Sequence, residues 1–285
     1  MPTPPSNRNY LPDTRIEVIN EDVVRGRVRS VLFDFDGTLS LIRAGWQDVM
    51  VPMMVDVLAQ LDTGESREDL EATVREYVFR LTGKQTIYQM IQLAEEVRKR
   101  GGRPRDPVEY KHQYLDLLWE QISHRVEGLK DGSIQPEQML LPGALAMVEQ
   151  LHGRGCRLYL ASGTDLPFVQ DEAHALGLAR YFAGEIYGAV DDYPTYSKRM
   201  IIERIIEDHR LAGPEFLAIG DGYVEIEDAK AVGGIAVGVA SDELNPGQLN
   251  QWKRERLIGV GADLIVPDFR EHEILVQYLF EAGGG

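Results

Sequence analysis

The chain alternates two patterns of hydrophobic and polar positions. Short, almost continuous apolar runs of strand length occur at 28–35, 156–162, 183–188, 215–220, 234–240 and 262–267. Helical spacing of apolar residues follows at 143–153, 166–177, 197–210, 225–232, 245–257 and 271–281. Runs that are apolar on both faces are typical of parallel strands in the middle of a protein. The alternation therefore predicts an α/β fold, with a mostly parallel sheet and helices on both of its faces.

Residues 44–140 show a different pattern of hydrophobic and polar positions. They show helical periodicity at 44–61, 66–82, 85–100 and 106–126 and no run typical of a strand. We therefore expect a helical domain at 44–140, inserted into an α/β core formed by 28–43 and 141–285. Residues 1–27 precede the core as an N-terminal arm.

The arm and the cysteine content add two expectations. In the arm, Ile16, Val18 and Ile19 would form either an added edge strand or a contact between two copies of the chain. The single cysteine, Cys156, excludes an internal disulfide and a multi-cysteine zinc site, and its apolar neighbours indicate a core residue.

The composition narrows the choice of partners. The chain has 30 Lys and Arg against 46 Asp and Glu, a formal net charge of −16 at pH 7. A surface this acidic repels the phosphates of nucleic acids and of anionic lipids, so we expect neither a nucleic acid nor a membrane as partner. The sequence shows no apolar signal segment and no apolar stretch long enough to cross a bilayer, which predicts a cytoplasmic protein.

Carboxylates follow two of the predicted strands. Asp34 and Asp36 come at the end of the first strand, and Asp221 follows the strand at 215–220. Ligands bind at the carboxyl ends of strands in parallel sheets, and a divalent cation would offset the cost of placing these carboxylates together. Their hard oxygen donors suit Mg²⁺. Glu225, one helical turn beyond Asp221, would orient a water on the metal without contacting the metal itself.

Two further strand ends carry groups that suit an anion. The strand at 156–162 ends in Ser162 and Gly163, where a hydroxyl and the free N–H groups of the next helix would form an anion site. Lys198 begins the helix at 197–210, and its ammonium would balance negative charge at the same edge of the sheet.

Taken in order, these residues resemble the four motifs of the haloacid dehalogenase-like hydrolase superfamily. The first motif is DxDGT, here Asp34 to Thr38. The second is Ser162, the third is Lys198, and the fourth runs from Gly220 through Asp221 to Glu225. The segment after Glu225 is similar to that of phosphoglycolate phosphatase-like members. The resemblance implies a Rossmann-like core and a helical cap of the C1 type between the first and second motifs.

The resemblance also implies an activity and a role for each matching residue. The activity would be that of a phosphatase acting through an aspartyl-phosphate, with Asp34 as nucleophile and Asp36 as general acid and base. The metal would be Mg²⁺, held by Asp34, the Asp36 backbone carbonyl and Asp221, with Glu225 in its outer shell. Four groups would bind phosphate: Thr38, Ser162, Gly163 and Lys198.

The cap is expected to select the substrate. Arg43 and Trp46 lie on the segment that leaves the core. Lys84 and Gln85 lie in a loop between two cap helices, similar to the specificity loop of C1-capped members. These residues suit a small phosphorylated metabolite, either a sugar phosphate or a phosphoglycolate-like compound with a second anion.

Two other functions stay open at this point. A phosphomutase of the β-phosphoglucomutase type would use the same nucleophile and return the phosphoryl group to a sugar. A binding protein without catalysis is disfavoured by the intact motifs, and Asp36 argues against a dehalogenase or a phosphonatase. The sequence does not decide between a monomer and a dimer.

Overall fold

The computed structural model describes residues 9–281, apart from the side chain of Pro194. Within this range seven strands form one sheet in the order β1-β7-β6-β5-β2-β3-β4. Their bounds are β1 Glu17–Val18, β2 Ser30–Phe33, β3 Arg157–Asp165, β4 Ile186–Ala189, β5 Phe216–Gly220, β6 Ile235–Val239 and β7 Leu264–Val266. All neighbouring strands are parallel except β1, which runs antiparallel to β7. The predicted α/β fold with a mostly parallel sheet is confirmed.

Ten α-helices accompany the sheet in the described range. They are α1 Gln47–Ala59, α2 Arg67–Leu81, α3 Thr86–Lys99, α4 Pro107–Asp131, α5 Ala144–Gly153, α6 Leu166–Ala175, α7 Lys198–His209, α8 Tyr223–Ala231, α9 Gln251–Gly259 and α10 His272–Phe280. Each predicted helix is present, and only two helix ends lie more than three residues from their predicted positions.

Those two differences have local causes. Helix α4 runs to Asp131 instead of 126, and Gly132, with a φ of 80°, ends it in the left-handed conformation that glycine adopts without strain. The helix predicted at 245–257 begins only at Gln251, because the Asn250 side chain caps it by accepting the Lys253 N–H.

The described part of the arm forms the edge strand β1. Glu17 pairs with Ile265 and Val18 with Leu264, so the edge-strand alternative is the one observed. Ile16 and Val18 are buried, and Glu17 forms a bidentate ion pair with Arg254. Residues 1–8 of the predicted arm lie outside the described residues.

Helices α1 to α4 lie between β2 and α5 in the chain and pack on one another. The segments that leave and re-enter the core run side by side, since Leu41 N–H donates to Met139 O at 2.8 Å and Leu141 N–H to Leu39 O at 2.9 Å. Arg125 of α4 donates to the carbonyls of Ile42 and Ala44 at 2.7 and 2.9 Å. The segment that leaves the core is thereby hydrogen-bonded to α4, one of the four helices that follow it.

None of the helices within residues 9–281 combines the length and the apolar character that a crossing of the bilayer requires.

Candidate active site

The register of the sheet gathers the predicted residues at one edge. Strand β2 lies between β3 and β5, and Phe33 pairs with Leu160 on one side and Ile219 on the other. The Asp34 N–H continues this ladder by donating to Ile219 O at 2.9 Å. The three chain segments that follow these strands therefore leave the sheet at the same level, at its carboxyl edge, where ligands bind in parallel α/β sheets.

Asp34 forms a buried charged cluster with Lys198 and Glu225. The Lys198 Nζ lies 2.7 Å from Asp34 Oδ1 and 2.8 Å from Glu225 Oε2, and all three side chains are buried. Burial opposes the charge on Lys198, but Asp34 and Glu225 hold its pKa above the usual value. Glu225 Oε1 also accepts the Gly222 N–H at 2.7 Å, which fixes the carboxylate at the start of α8.

Asp221 is held from two sides. The Thr38 hydroxyl accepts its backbone N–H at 3.0 Å and lies 3.4 Å from its Oδ1. The Lys253 ammonium donates to its Oδ2 at 2.6 Å. Thr38 is thus placed against Asp221, and its contact with phosphate stays a prediction.

The acidic groups fit a divalent metal. Carboxylate oxygens of Asp34, Asp221 and Glu225 lie within 4.8 Å of one another. Burial raises the pKa of Asp34. The positive charge of Lys198 opposes this shift, whereas the negative charges of Glu225 and Asp221 raise the pKa further. A divalent cation would offset the repulsion between these carboxylates, and their hard oxygen donors match Mg²⁺. The identity of the metal is a prediction.

Asp36 has one engaged and one free oxygen. Its Oδ2 accepts from the hydroxyls of Ser162 at 3.0 Å and Thr164 at 2.9 Å. Its Oδ1 is buried and finds no hydrogen-bond partner within residues 9–281, and Arg43 Nε lies 3.8 Å away. The hydrogen bonds of Asp36 are therefore confined to one oxygen, and its side chain, which is 25% exposed, lines the cavity.

Arg43 is a buried residue of the site with a partner that the sequence did not reveal. It forms a two-point ion pair with Glu172 of α6, with Nε to Oε2 at 3.2 Å and Nη2 to Oε1 at 2.6 Å. Burial raises the pKa of Glu172 to about 7 despite the opposing charge of Arg43. The charge of Arg43 is therefore already matched inside the protein.

A cavity of about 260 Å³ opens above these groups. Asp34, Asp36, Ser162, Gly163, Lys198 and Asp221 contribute to its floor. Arg43, Trp46 and Lys84 line it as well, together with Tyr114 of α4. The Gln85 side chain instead donates from Nε2 to Tyr196 O at 2.7 Å and joins the loop before α3 to the core.

That loop contacts the core through glycines. A Cβ on Gly163 would lie 2.9 Å from Lys84 O, and a Cβ on Gly222 would lie 3.0 Å from the Cα of Gly83. Arg256 of α9 adds a polar tie by donating to the carbonyl of Arg80 at 2.8 Å. Small residues at these two core positions let the backbone close over the cavity.

Sequence reasoning missed three participants. Thr164 follows Ser162 by two positions, so the alternation of a strand could have placed its hydroxyl on the same face. Lys253 precedes the buried Leu257 by four residues, which places it on the buried face of α9. Glu172 gives no such signal, because only the tertiary structure brings α6 beside Arg43.

The parallel sheet carries a cluster of carboxylates and a buried lysine at its carboxyl edge, an arrangement typical of an enzyme site in an α/β fold. The model of the haloacid dehalogenase-like hydrolases matches residues 28–233. The chain belongs to this family, and the family predicted from the four motifs is confirmed.

The chain is also similar to a nucleotidase over part of its length. A 5'-nucleotidase from Pseudomonas aeruginosa is 28% identical over 135 residues, which cover 46% of this chain and 60% of that protein. The chain thus matches less than two thirds of this relative's length.

Among solved structures, a predicted phosphoglycolate phosphatase from Haemophilus somnus superposes with a TM-score of 0.55 at 17% identity, over 88% of this chain and 98% of that one. A β-phosphoglucomutase from Clostridium difficile gives a TM-score of 0.57 at 13% identity, over 89% and 97%. At these identities the similarity concerns the fold.

Proposed function

We propose that this protein is a magnesium-dependent phosphatase for a small phosphorylated metabolite in the cytoplasm. The position of Asp34 supports the proposal: its carboxylate lines the cavity, and its Oδ1 lies 2.7 Å from the buried Lys198 ammonium. A buried carboxylate beside a fixed cation is suited to attack a centre whose oxygens the cation stabilises.

The reaction has two steps on this proposal. Asp34 attacks phosphorus, the bond to the leaving oxygen breaks, and the phosphoryl group is carried as an aspartyl-phosphate. Asp36 gives a proton to the leaving alkoxide and then takes one from the water that attacks phosphorus, which breaks the bond to Asp34 and releases inorganic phosphate. The Asp36 side chain is 25% exposed and lines the cavity, so a bound substrate can reach its carboxyl group. Mg²⁺ bound by Asp34, Asp221 and the Asp36 backbone carbonyl would neutralise charge on the phosphoryl oxygens.

The remaining phosphate oxygens are assigned to groups beside Asp34. We propose Lys198, the Ser162 hydroxyl and the Gly163 N–H, all of which line the cavity, with Thr38 as a further donor. Glu225 then has two roles, since it holds Lys198 in place and would orient a water bound to the metal.

Helices α1 to α4, within residues 44–140, act as a cap over the site on this proposal. The supporting contact is the approach of the loop at Gly83 and Lys84 to Gly222 and Gly163. A cap in this position excludes bulk water while the phosphoryl group moves.

The charges in the cavity favour a leaving group without a second anion. Arg43 is paired with Glu172, Lys198 with Asp34, and Lys253 with Asp221. Among the described residues, Lys84 is then the one cation of the cavity lining with no carboxylate at ion-pair distance. Asp48 and Asp242 also line the cavity, and their negative charge would repel a second anion. We therefore propose a sugar monophosphate over a phosphoglycolate-like substrate.

The test is a phosphate-release screen with the purified chain, with Mg²⁺ or with a chelator, beside Asp34→Asn. The panel contains pentose and hexose monophosphates, nucleoside monophosphates, phosphoglycolate and p-nitrophenyl phosphate. We expect Mg²⁺-dependent release that the variant lacks, and a higher kcat/KM for sugar monophosphates than for phosphoglycolate. An Asp34→Asn enzyme that retains the wild-type rate contradicts the mechanism.

The same screen separates the other functions. A phosphomutase would convert a sugar monophosphate to its isomer when a sugar bisphosphate is supplied, with little free phosphate. A binding protein without catalysis would release no phosphate from any compound, including p-nitrophenyl phosphate.

A further inference from the structure

Lys253 is a buried cation of the site that lies outside the four motifs. Its side chain comes from α9, and the residue is 7% exposed. The Nζ atom lies 2.6 Å from Asp221 Oδ2, 2.8 Å from Glu243 Oε1 and 3.3 Å from Ser241 Oγ. It thus contacts one of the predicted metal ligands directly.

The fold fixes this ammonium in place. The backbone N–H of Lys253 donates to Asn250 Oδ1 at 3.0 Å, and Leu257, one turn further along α9, is fully buried. The Ser241 hydroxyl, which Lys253 also contacts, donates to Gly37 O at 2.6 Å. The lysine therefore joins the loop before α9, the first motif and Asp221 in one network.

The formal charges are unequal within the ion pairs that Lys198 and Lys253 form. Two ammonium groups face four carboxylates, which leaves a formal charge of −2: Lys198 and Lys253 against Asp34, Asp221, Glu225 and Glu243. One divalent cation balances this charge. Without Lys253 the same cluster would carry −3 and would attract cations more strongly.

We propose that Lys253 is a built-in counterion of the metal site, which weakens the binding of the divalent cation through its contact with Oδ2 of Asp221. The inference rests on the metal site of the proposed function. The expected size follows from carboxylates, whose proton affinity changes by about 10- to 1000-fold when a cation lies beside them. Removal of Lys253 should therefore tighten cation binding by about tenfold or more.

The experiment measures Mn²⁺ binding to the metal-free full chain, from the electron paramagnetic resonance signal of free Mn²⁺ and by titration calorimetry. The variants are Lys253→Met, Lys253→Arg, Glu243→Gln and the Lys253→Met/Glu243→Gln double variant. Near-ultraviolet circular dichroism checks that each one is folded.

The counterion role predicts a pattern that follows charge. Lys253→Met binds Mn²⁺ about tenfold tighter, Glu243→Gln binds it several-fold weaker, and Lys253→Arg stays close to wild type. The double variant, which has the formal charge of wild type, returns to within about threefold of it. If Lys253→Met does not fold, the Mn²⁺ affinity of Glu243→Gln still tests whether cation binding follows the formal charge of the cluster.

Two results would overturn parts of the account separately. Weaker or unchanged binding by a folded Lys253→Met, or unchanged binding by Glu243→Gln, overturns the counterion role and leaves the metal site standing. Wild-type Mn²⁺ affinity in Asp221→Asn overturns the metal site itself, and with it the metal requirement of the proposed function.

Discussion

Replacing Arg43 by methionine should destabilise the protein far more than the loss of an ordinary arginine. The two side chains of the Arg43–Glu172 pair are 8% and 1% exposed and share two hydrogen bonds. Removing one partner of such a pair leaves a buried charge without compensation, which costs about 3–5 kcal/mol. For a protein of this size the melting temperature should fall by about 10 °C.

The matched control is Arg67→Met. Arg67 pairs with Asp56 at 2.7 Å, but these side chains are 61% and 59% exposed. Exposed pairs contribute about 0–1 kcal/mol, so this variant should melt within about 2 °C of wild type.

The pH dependence gives the Arg43 prediction a second test. Burial already raises the pKa of Glu172 to about 7, and without Arg43 it will rise further. At pH 6 the carboxyl group takes up a proton and the buried charge disappears, so the loss should be smaller at pH 6 than at pH 8. Thermal unfolding of both variants at the two pH values measures this. Equal melting temperatures of the two variants at pH 8 would refute the reasoning.

Three further predictions follow from single contacts. Burial raises the pKa of Glu172 from 4.5 to about 7, so its contribution to stability is complete below about pH 4.5 and is lost as the pH rises through about 7. In denaturant titrations from pH 5 to 8, Glu172→Gln should lack this loss. Stability curves that run parallel for wild type and variant would contradict the prediction. Gly163→Ala places a methyl group 2.9 Å from a backbone oxygen of the loop over the cavity, so kcat/KM should fall about tenfold, whereas Gly153→Ala, with open space at its Cβ, should leave the kinetics unchanged. Thr164→Val removes one of two hydroxyls from Asp36, so kcat/KM for a sugar phosphate, which reports the steps up to loss of the leaving group, should fall about tenfold. The fall should be smaller for p-nitrophenyl phosphate, whose leaving group needs no proton, and equal losses of kcat/KM with both substrates would argue against Asp36 as the acid.

The sequence predicted the sheet well because its strands are buried on both faces. A run such as Val31-Leu32-Phe33 is fully buried in the structure, so periodicity and environment agree. The end of a strand then locates Asp34 and Asp221 without further information. The short β1 is not predictable in this way, because two paired residues, Glu17 and Val18, give too little pattern to separate an edge strand from a contact between chains.

The sequence could not predict the partners that stand far away in the chain. Glu172 is 129 residues from Arg43, and Lys253 is 32 residues from Asp221. Both pairs depend on how helices pack against the sheet, which local spacing does not encode. A buried ion pair therefore reads, in sequence, as two ordinary surface charges.

The central claim is that Asp34 carries the phosphoryl group, and trapping that group tests it most directly. Asp36→Asn would be mixed with ³²P-labelled p-nitrophenyl phosphate, quenched with acid and digested. The leaving group departs without a proton, while the water is no longer activated, so label should accumulate. We expect a hydroxylamine-sensitive label on the peptide that contains Asp34, and none in the Asp34→Asn/Asp36→Asn variant. Label on another residue, or wild-type phosphate release by Asp34→Asn, would contradict the claim.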